Sequence, residues 1–259
     1  MRPERVLSID LAYKSTRDLG VCLLERRISG PVIHVSFLSA QDVGLNDPPE
    51  AAQFGRSVVD FCQRQSISIV LIDGPQGWKD PDSELPHSRH CEKALNAPAK
   101  TGIVGHVKPR SYLPFVAFSI SLFAELVELG AALVFDGAAT LEPGLLTAAE
   151  SLPLAAWRSL GIVPLPSKKK ASQRDIEDRL CRLESVFPFQ LNRKPGHDEL
   201  QALIAGLAGI AIFEGCNQYG LYGGPPRKLG SHFCEGFIVL PEPTSPDTAS
   251  CGRVGNELS

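Results

Sequence analysis

The sequence predicts an α/β fold: a three-layer sandwich with helices on both faces of a mixed sheet. Three observations carry this. Three short Val/Ile/Leu-rich runs open the chain, at 5–12, 19–26 and 31–39, and the gaps between them are short enough to imply antiparallel neighbours. A helix-like segment, "NDPPEAAQFGRSVVDFCQRQ", then makes a crossover, so the next strand is expected parallel to the first and beside it. That strand, "ISIVLIDGP", is almost continuously apolar, as suits a strand covered on both faces.

The elements follow in order. "KSTRD" and "RISGP" separate the first three strands. The crossover helix can take Asn46 or Asp47 as its cap, with prolines near its first turn. "HSRHCEKALNA" reads as a short helix, and "PAKTGIVGHVKPRS" as a Gly/Pro-rich basic loop. "FVAFSISLFAELVELGAALVF" reads as one long apolar helix, and "EPGLLTAAESLP" as holding a short strand ended by Pro153. "KKKASQRDIEDRLCRLESVF" is an amphipathic helix with a basic start. "GHDELQALIAGLAGIAIFEG" is an apolar helix whose polar residues crowd its N-terminus. "CEGFIVLPEP" is expected as a last edge strand. With no repeat and no linker, residues 1–242 are expected to form a single domain, and 243–259 an unstructured tail.

Composition narrows the function classes. The chain has 259 residues, 43% hydrophobic and 21% charged, enough for a sizeable core. A net charge of −3 argues against a broadly basic nucleic-acid coat, though a local basic groove remains open. The reading finds no uninterrupted membrane-length apolar run, and the N-terminus leads straight into a strand without a signal-like segment. Seven scattered cysteines without a CxxC pair fit a reduced chain, and the expected location is cytoplasmic.

Acids at element ends carry the functional signal. Asp10 ends the first strand and Asp73 the fourth, its expected parallel neighbour. Clefts at such carboxyl edges are where α/β sheets bind ligands. Glu150 lies near a third strand end, and Asp198 and Glu199 open the last helix. Each has a structural reading too: Asp73 as a turn residue, Asp198 as a helix N-terminal charge. Several converging acids need a cation to offset their repulsion. Mg²⁺ or Mn²⁺ takes oxygen ligands, and two such ions can clamp a phosphodiester. The expected metal ligands are Asp10, Asp73 and Asp198, with Glu150 as a further ligand or an orienter of water.

The motifs "SIDLAY", "LIDGPQG", "SRHCEKAL", "AESLPLAAWRSLG…SKKK", "GHDELQALIAG" and "GFIVLP" occur in that order. In this order they resemble the domain of unknown function 429 family, a predicted nuclease group with a ribonuclease H-like fold. The similarity spans roughly residues 5–241. The resemblance implies a ribonuclease H-like fold, metal-dependent hydrolysis and a nucleic-acid partner. Arg89, with Glu92, matches its Arg-x-Cys-acid segment and would border the cleft. Lys168, among Lys168–Lys170, would reach a phosphate. The chain departs from the family at Gln201, where the second helix acid usually stands, one turn from Asp198.

Other candidates are weaker. Lys100, His106, Lys108 and Arg110 in the basic loop would cover a polyanionic substrate, with Lys108 and Arg110 as substrate contacts. That loop has few aromatic residues, so sequence-specific reading of single strands is not indicated. His87, His90 and Cys91 form a zinc-site fragment without a fourth ligand. The leading expectation is a metal-dependent nuclease. The alternatives are a non-catalytic nucleic-acid- or protein-binding descendant of the fold and, more remotely, an ATP-binding protein of the actin/sugar-kinase type. The last would need a second lobe, and the chain shows none.

Overall fold

The computed structural model describes residues 4–27, 30–134, 144–214 and 219–243. The chain begins with β1 (Glu4–Asp10), β2 (Gly20–Arg26) and β3 (Ile33–Leu38), paired antiparallel in sequence. Two helices follow, α1 (Ala40–Val43) and α2 (Ala51–Gln65). The crossover delivers β4 (Ile69–Asp73) parallel to β1 and beside it, as expected. Next come α3 (His90–Ala94), a two-stranded ribbon of β5 (Lys100–Thr101) and β6 (Val107–Lys108), and α4 (Leu113–Glu128). The chain continues through β7 (Ala132–Leu133), β8 (Thr147–Ser151), α5 (Pro153–Ser159) and α6 (Gln173–Glu184). The last described elements are β9 (Phe189–Leu191), α7 (His197–Glu214), β10 (Tyr219–Leu229) and β11 (His232–Pro241).

The main sheet runs β10-β11-β8-β4-β1-β2-β3-β9, with β7 also paired to β8. It is mixed: β1, β4, β8 and β11 are parallel neighbours, while β1–β2–β3 and β10–β11 are antiparallel. Alternation along β1 divides the core between two faces. Leu7 and Ile9 join Phe54 and Val58 of α2 and Leu122 and Phe123 of α4. Val6 joins Trp157 of α5, Leu180 of α6 and Leu203 and Leu207 of α7 on the other face. The result is compatible with a three-layer sandwich. α7 lies very close to the sheet: a Cβ added at Gly209 would stand 2.5 Å from Val6 Cγ1.

Several sequence expectations are corrected. Neither Asn46 nor Asp47 caps α2, which begins at Ala51 after the two prolines; Asp47 instead accepts the Thr16 N–H at 2.7 Å. The long apolar helix stops at Glu128, and Ala132–Leu133 join the sheet, because an apolar run alone does not separate buried helix from buried strand. Pro153 ends the β8 segment as expected, but it also starts α5, where a missing N–H costs nothing. β11 is not an edge strand. It lies between β10 and β8, and nearly all its residues are buried. β10 was missed because glycines and prolines interrupt it, and it carries a register shift between Gly224 and Arg227.

The stretch 110–128 is long and apolar enough, by length and composition, to cross a membrane, where the sequence reading counted no such run. In this fold Val116, Ile120, Leu122, Phe123 and Leu126 of α4 are buried against protein. Cys22, Cys62, Cys91, Cys181 and Cys234 are free thiols. The tail expected to be unstructured lies, beyond Pro243, outside the described residues.

Candidate functional site

The pairing register places Asp10 directly beside Asp73 at the carboxyl edge of β1 and β4. One strand further, Ser151 stands beside Asp73 at the end of β8. The two carboxyl groups are close enough for each to shift the other's pKa, and they can hydrogen-bond to each other when one carries a proton. Burial first, then the charges of Asp73 and Asp198, pushes Asp10 well above the usual carboxylate range. Burial also pushes Asp73 up to about 7; the bond from Asp10 opposes that rise and the charge of Glu150 adds to it. A like-charged pair of oxygen donors fits a hard divalent ion, which would offset its repulsion.

Asp198 is close enough to Asp10 for its charge to matter, but both its oxygens are engaged elsewhere. Oδ2 accepts from Lys168 Nζ at 2.5 Å, and Oδ1 faces His197 Nδ1 at 2.8 Å. His197 Nε2 lies 2.9 Å from the Pro166 carbonyl oxygen, so both ring nitrogens face acceptors and the doubly protonated ring satisfies both. The Asp198 bond is also the main reason that the His197 pKa is raised. Burial alone would raise Asp198, yet the His197 and Lys168 hydrogen bonds hold its pKa below the ordinary value. Lys168 also donates to Asp18 at 2.8 Å.

The backbone fixes where Asp198 starts. Gly20 pairs with Asp10 across β1 and β2, and a Cβ there would stand 2.0 Å from the Asp198 carbonyl oxygen. Only glycine lets the N-terminus of α7 rest on the sheet at this point. Among the described residues, no group of three or more His, Cys, Asp or Glu side chains is gathered to hold a metal ion. The Asp10–Asp73 pair is therefore assembled, while Asp198 would join it only by exchanging a contact with Lys168 or His197.

Glu150 and Arg89 form a separate buried unit. Arg89 is 1% exposed and donates to both Glu150 oxygens at 2.7 Å and to Glu92 Oε1 at 3.1 Å. Glu150 Oε2 also accepts the Gln76 N–H at 2.9 Å, and Glu92 Oε2 that of Thr101 at 2.8 Å. Burial raises the Glu150 pKa even though Arg89 and Gln76 oppose the rise. Both Glu150 oxygens are thus spent on Arg89 and on the turn that follows Asp73, and Arg89 is spent on acids. Arg89 thus borders the cleft, as expected, but as a buried partner of acids, and Glu150 would have to give up a bond to Arg89 or Gln76 to serve as a metal ligand.

Gln201 does not take the place of the missing acid. Its Oε1 accepts the Trp157 indole N–H from α5 at 2.8 Å. An indole N–H can only donate, so the amide oxygen faces Trp157 and the NH₂ group faces away. Lys108 and Arg110 are exposed, as are Lys169 and Lys170. Lys100 is turned inward and donates to the Glu92 carbonyl at 2.9 Å. Cys91 is buried, and His90 lies 3.3 Å from the Ser83 hydroxyl.

A pocket of about 280 Å³ opens beside the pair, lined among others by Asp73, Tyr112, Phe115, Ser151 and Gln201, with Arg89 and Glu150 at its base. The aromatic lining was missed in sequence, because Tyr112 falls between the basic loop and the apolar helix and Phe115 opens a helix read as core. No family model, curated protein or solved structure matches the chain.

Proposed function

We propose that this chain is a metal-dependent phosphodiesterase acting on nucleic acid, of the ribonuclease H-like kind that the motif resemblance implies. The observation that carries the reading is the juxtaposition of Asp10 and Asp73 at the carboxyl edge of adjacent parallel strands. Asp10 and Asp73 would hold Mg²⁺ or Mn²⁺, which when bound would offset phosphate charge and favour hydroxide at neutral pH. Asp198 stands beside that pair as a reserve ligand. Lys168, half-exposed at the rim, is the cation that releases Asp198 and meets a phosphate oxygen instead. Arg89 and Glu150 act as positioning residues: their bonds hold the turn after Asp73 through the Gln76 N–H.

A specific observation favours a second reading. Asp198 is neutralised by Lys168 and His197, and Gln201 is bound to Trp157, so the acid set of a two-metal site is incomplete. A non-catalytic nucleic-acid-binding protein would show the same arrangement. Cleavage of single-stranded, duplex, hybrid and branched oligonucleotides across a Mn²⁺ and Mg²⁺ titration separates the two. Metal-dependent cleavage that Asp10→Asn abolishes supports the enzyme. Nucleic-acid binding with no cleavage at any metal concentration supports the second reading.

A further inference from the structure

Two depressions near the aspartate pair share Tyr112 and Phe115 in their linings. The pocket of about 280 Å³ has Asp73 in its wall. A second, of about 340 Å³, is lined by Leu11 and Ala12, directly after Asp10, and by Tyr13, Lys14 and Asp18. Both include Tyr112 and Phe115, which form the partition between them. Tyr112 is 44% exposed, an unusual position for a large aromatic side chain without a partner to cover it. The Tyr13 ring centroid lies 6.2 Å from that of Phe115, and Lys14 Nζ lies 5.5 Å from the Tyr13 centroid. Two polar groups of the first pocket are unspent. The Ser151 hydroxyl is buried without a hydrogen-bond partner, and the Gln201 NH₂ points away from Trp157.

We infer that the nucleic acid bound here is single-stranded, with one nucleoside seated on each side of the Tyr112–Phe115 partition. Each depression is near the lower end of ligand-pocket sizes, about 300 Å³, which suits one nucleoside and not a base pair. Aromatic faces take any unstacked base, whereas a duplex hides its base faces and presents only edges and phosphates. A duplex site also needs many cations along two backbones, and this chain has a net charge of −3. Here Lys14 lines the second depression, and Lys168 is bound to Asp18 in its wall, so two cations are at hand for a single backbone. Ser151 and Gln201 supply hydrogen-bonding groups for the edge of the base in the first pocket. The expectation against sequence-specific reading of single strands rested on the basic loop alone; Tyr13 and Phe115 come from other segments.

This inference rests on the nuclease reading for its substrate class but is tested by binding alone. Fluorescence anisotropy with labelled DNA and RNA 12-mers, as single strands and as duplexes in EDTA, uses the full chain. The expected result is a single strand, DNA or RNA, bound more tightly than either duplex. Tyr112→Ala and Tyr13→Ala should each weaken that binding by about tenfold, the usual loss of one stacked base. Tyr112→Phe, which keeps the ring, should restore it. Tighter duplex binding, or single-strand affinity unchanged in both alanine variants, would overturn the inference. Single-strand binding with that pattern but no cleavage in Mn²⁺ leaves the inference standing and sinks the nuclease reading. Cleavage that prefers duplex and ignores Tyr112→Ala does the reverse.

Discussion

Replacing Asp10 by asparagine should stabilise the metal-free protein at alkaline pH while destroying its metal site. Burial beside Asp10 pushes Asp73 from 3.8 to about 7, so below that pH the pair can hold a proton between its two carboxyl groups. A rise of that size corresponds to about 4 kcal/mol lost once the proton leaves, and water at the cleft edge reduces this to about 2–4 kcal/mol. A carboxyl whose pKa is raised by folding contributes stability that is complete below pH 4 and is lost as the pH passes about 7. In Asp10→Asn the amide N–H₂ donates to the Asp73 carboxylate without needing a proton. The variant should therefore match wild type at pH 4 and exceed it at pH 8 by about 5–10 °C in Tm. Circular-dichroism melting of both proteins in EDTA at the two pH values measures the difference. Mg²⁺ should then raise the Tm of wild type and leave the variant unmoved. A Tm difference that does not depend on pH would refute the shared-proton account of this edge.

The other predictions concern the surrounding residues. Arg89→Met leaves Glu92 and Glu150 buried with no cation and should cost about 3–5 kcal/mol in urea denaturation; a loss under 1 kcal/mol would mean that the acids find other partners. Lys168→Met removes a cation from Asp198, so calorimetry should show Mn²⁺ bound several-fold more tightly while cleavage falls; weaker metal binding would show that Lys168 holds Asp198 in a useful position. Gln201→Glu keeps an acceptor for Trp157 and should strengthen metal binding. Gln201→Asp is one methylene shorter, loses the indole bond and should cost about 1–3 kcal/mol, read from the denaturation midpoint.

The order of strands around Asp10 was legible because short gaps and one crossover leave little topological freedom. That made the Asp10–Asp73 juxtaposition legible too. The state of Asp198 was not, because its partners Lys168 and His197 depend on how the 161–172 segment passes α7. Arg89 carried a motif signal, yet its burial against Glu150 pairs residues 61 apart, a contact no local pattern announces. Gln201 stood out as a departure from a motif; its role as a partner of Trp157 became visible only with α5 in place.

The packing of α7 bears on how fast the site can respond. At Gly209 and Gly20 the helix touches the sheet with no room for a side chain between them, so it can neither slide nor roll without separating the layers. A cation or phosphate arriving at the edge must then be accommodated by torsions of Lys168, His197 and Asp198 alone. Rotations of that kind take picoseconds to nanoseconds, whereas shifts of a helix take microseconds or longer. Exchange of ligands at this edge is therefore governed by desolvation and charge, and not by waiting for the fold to open.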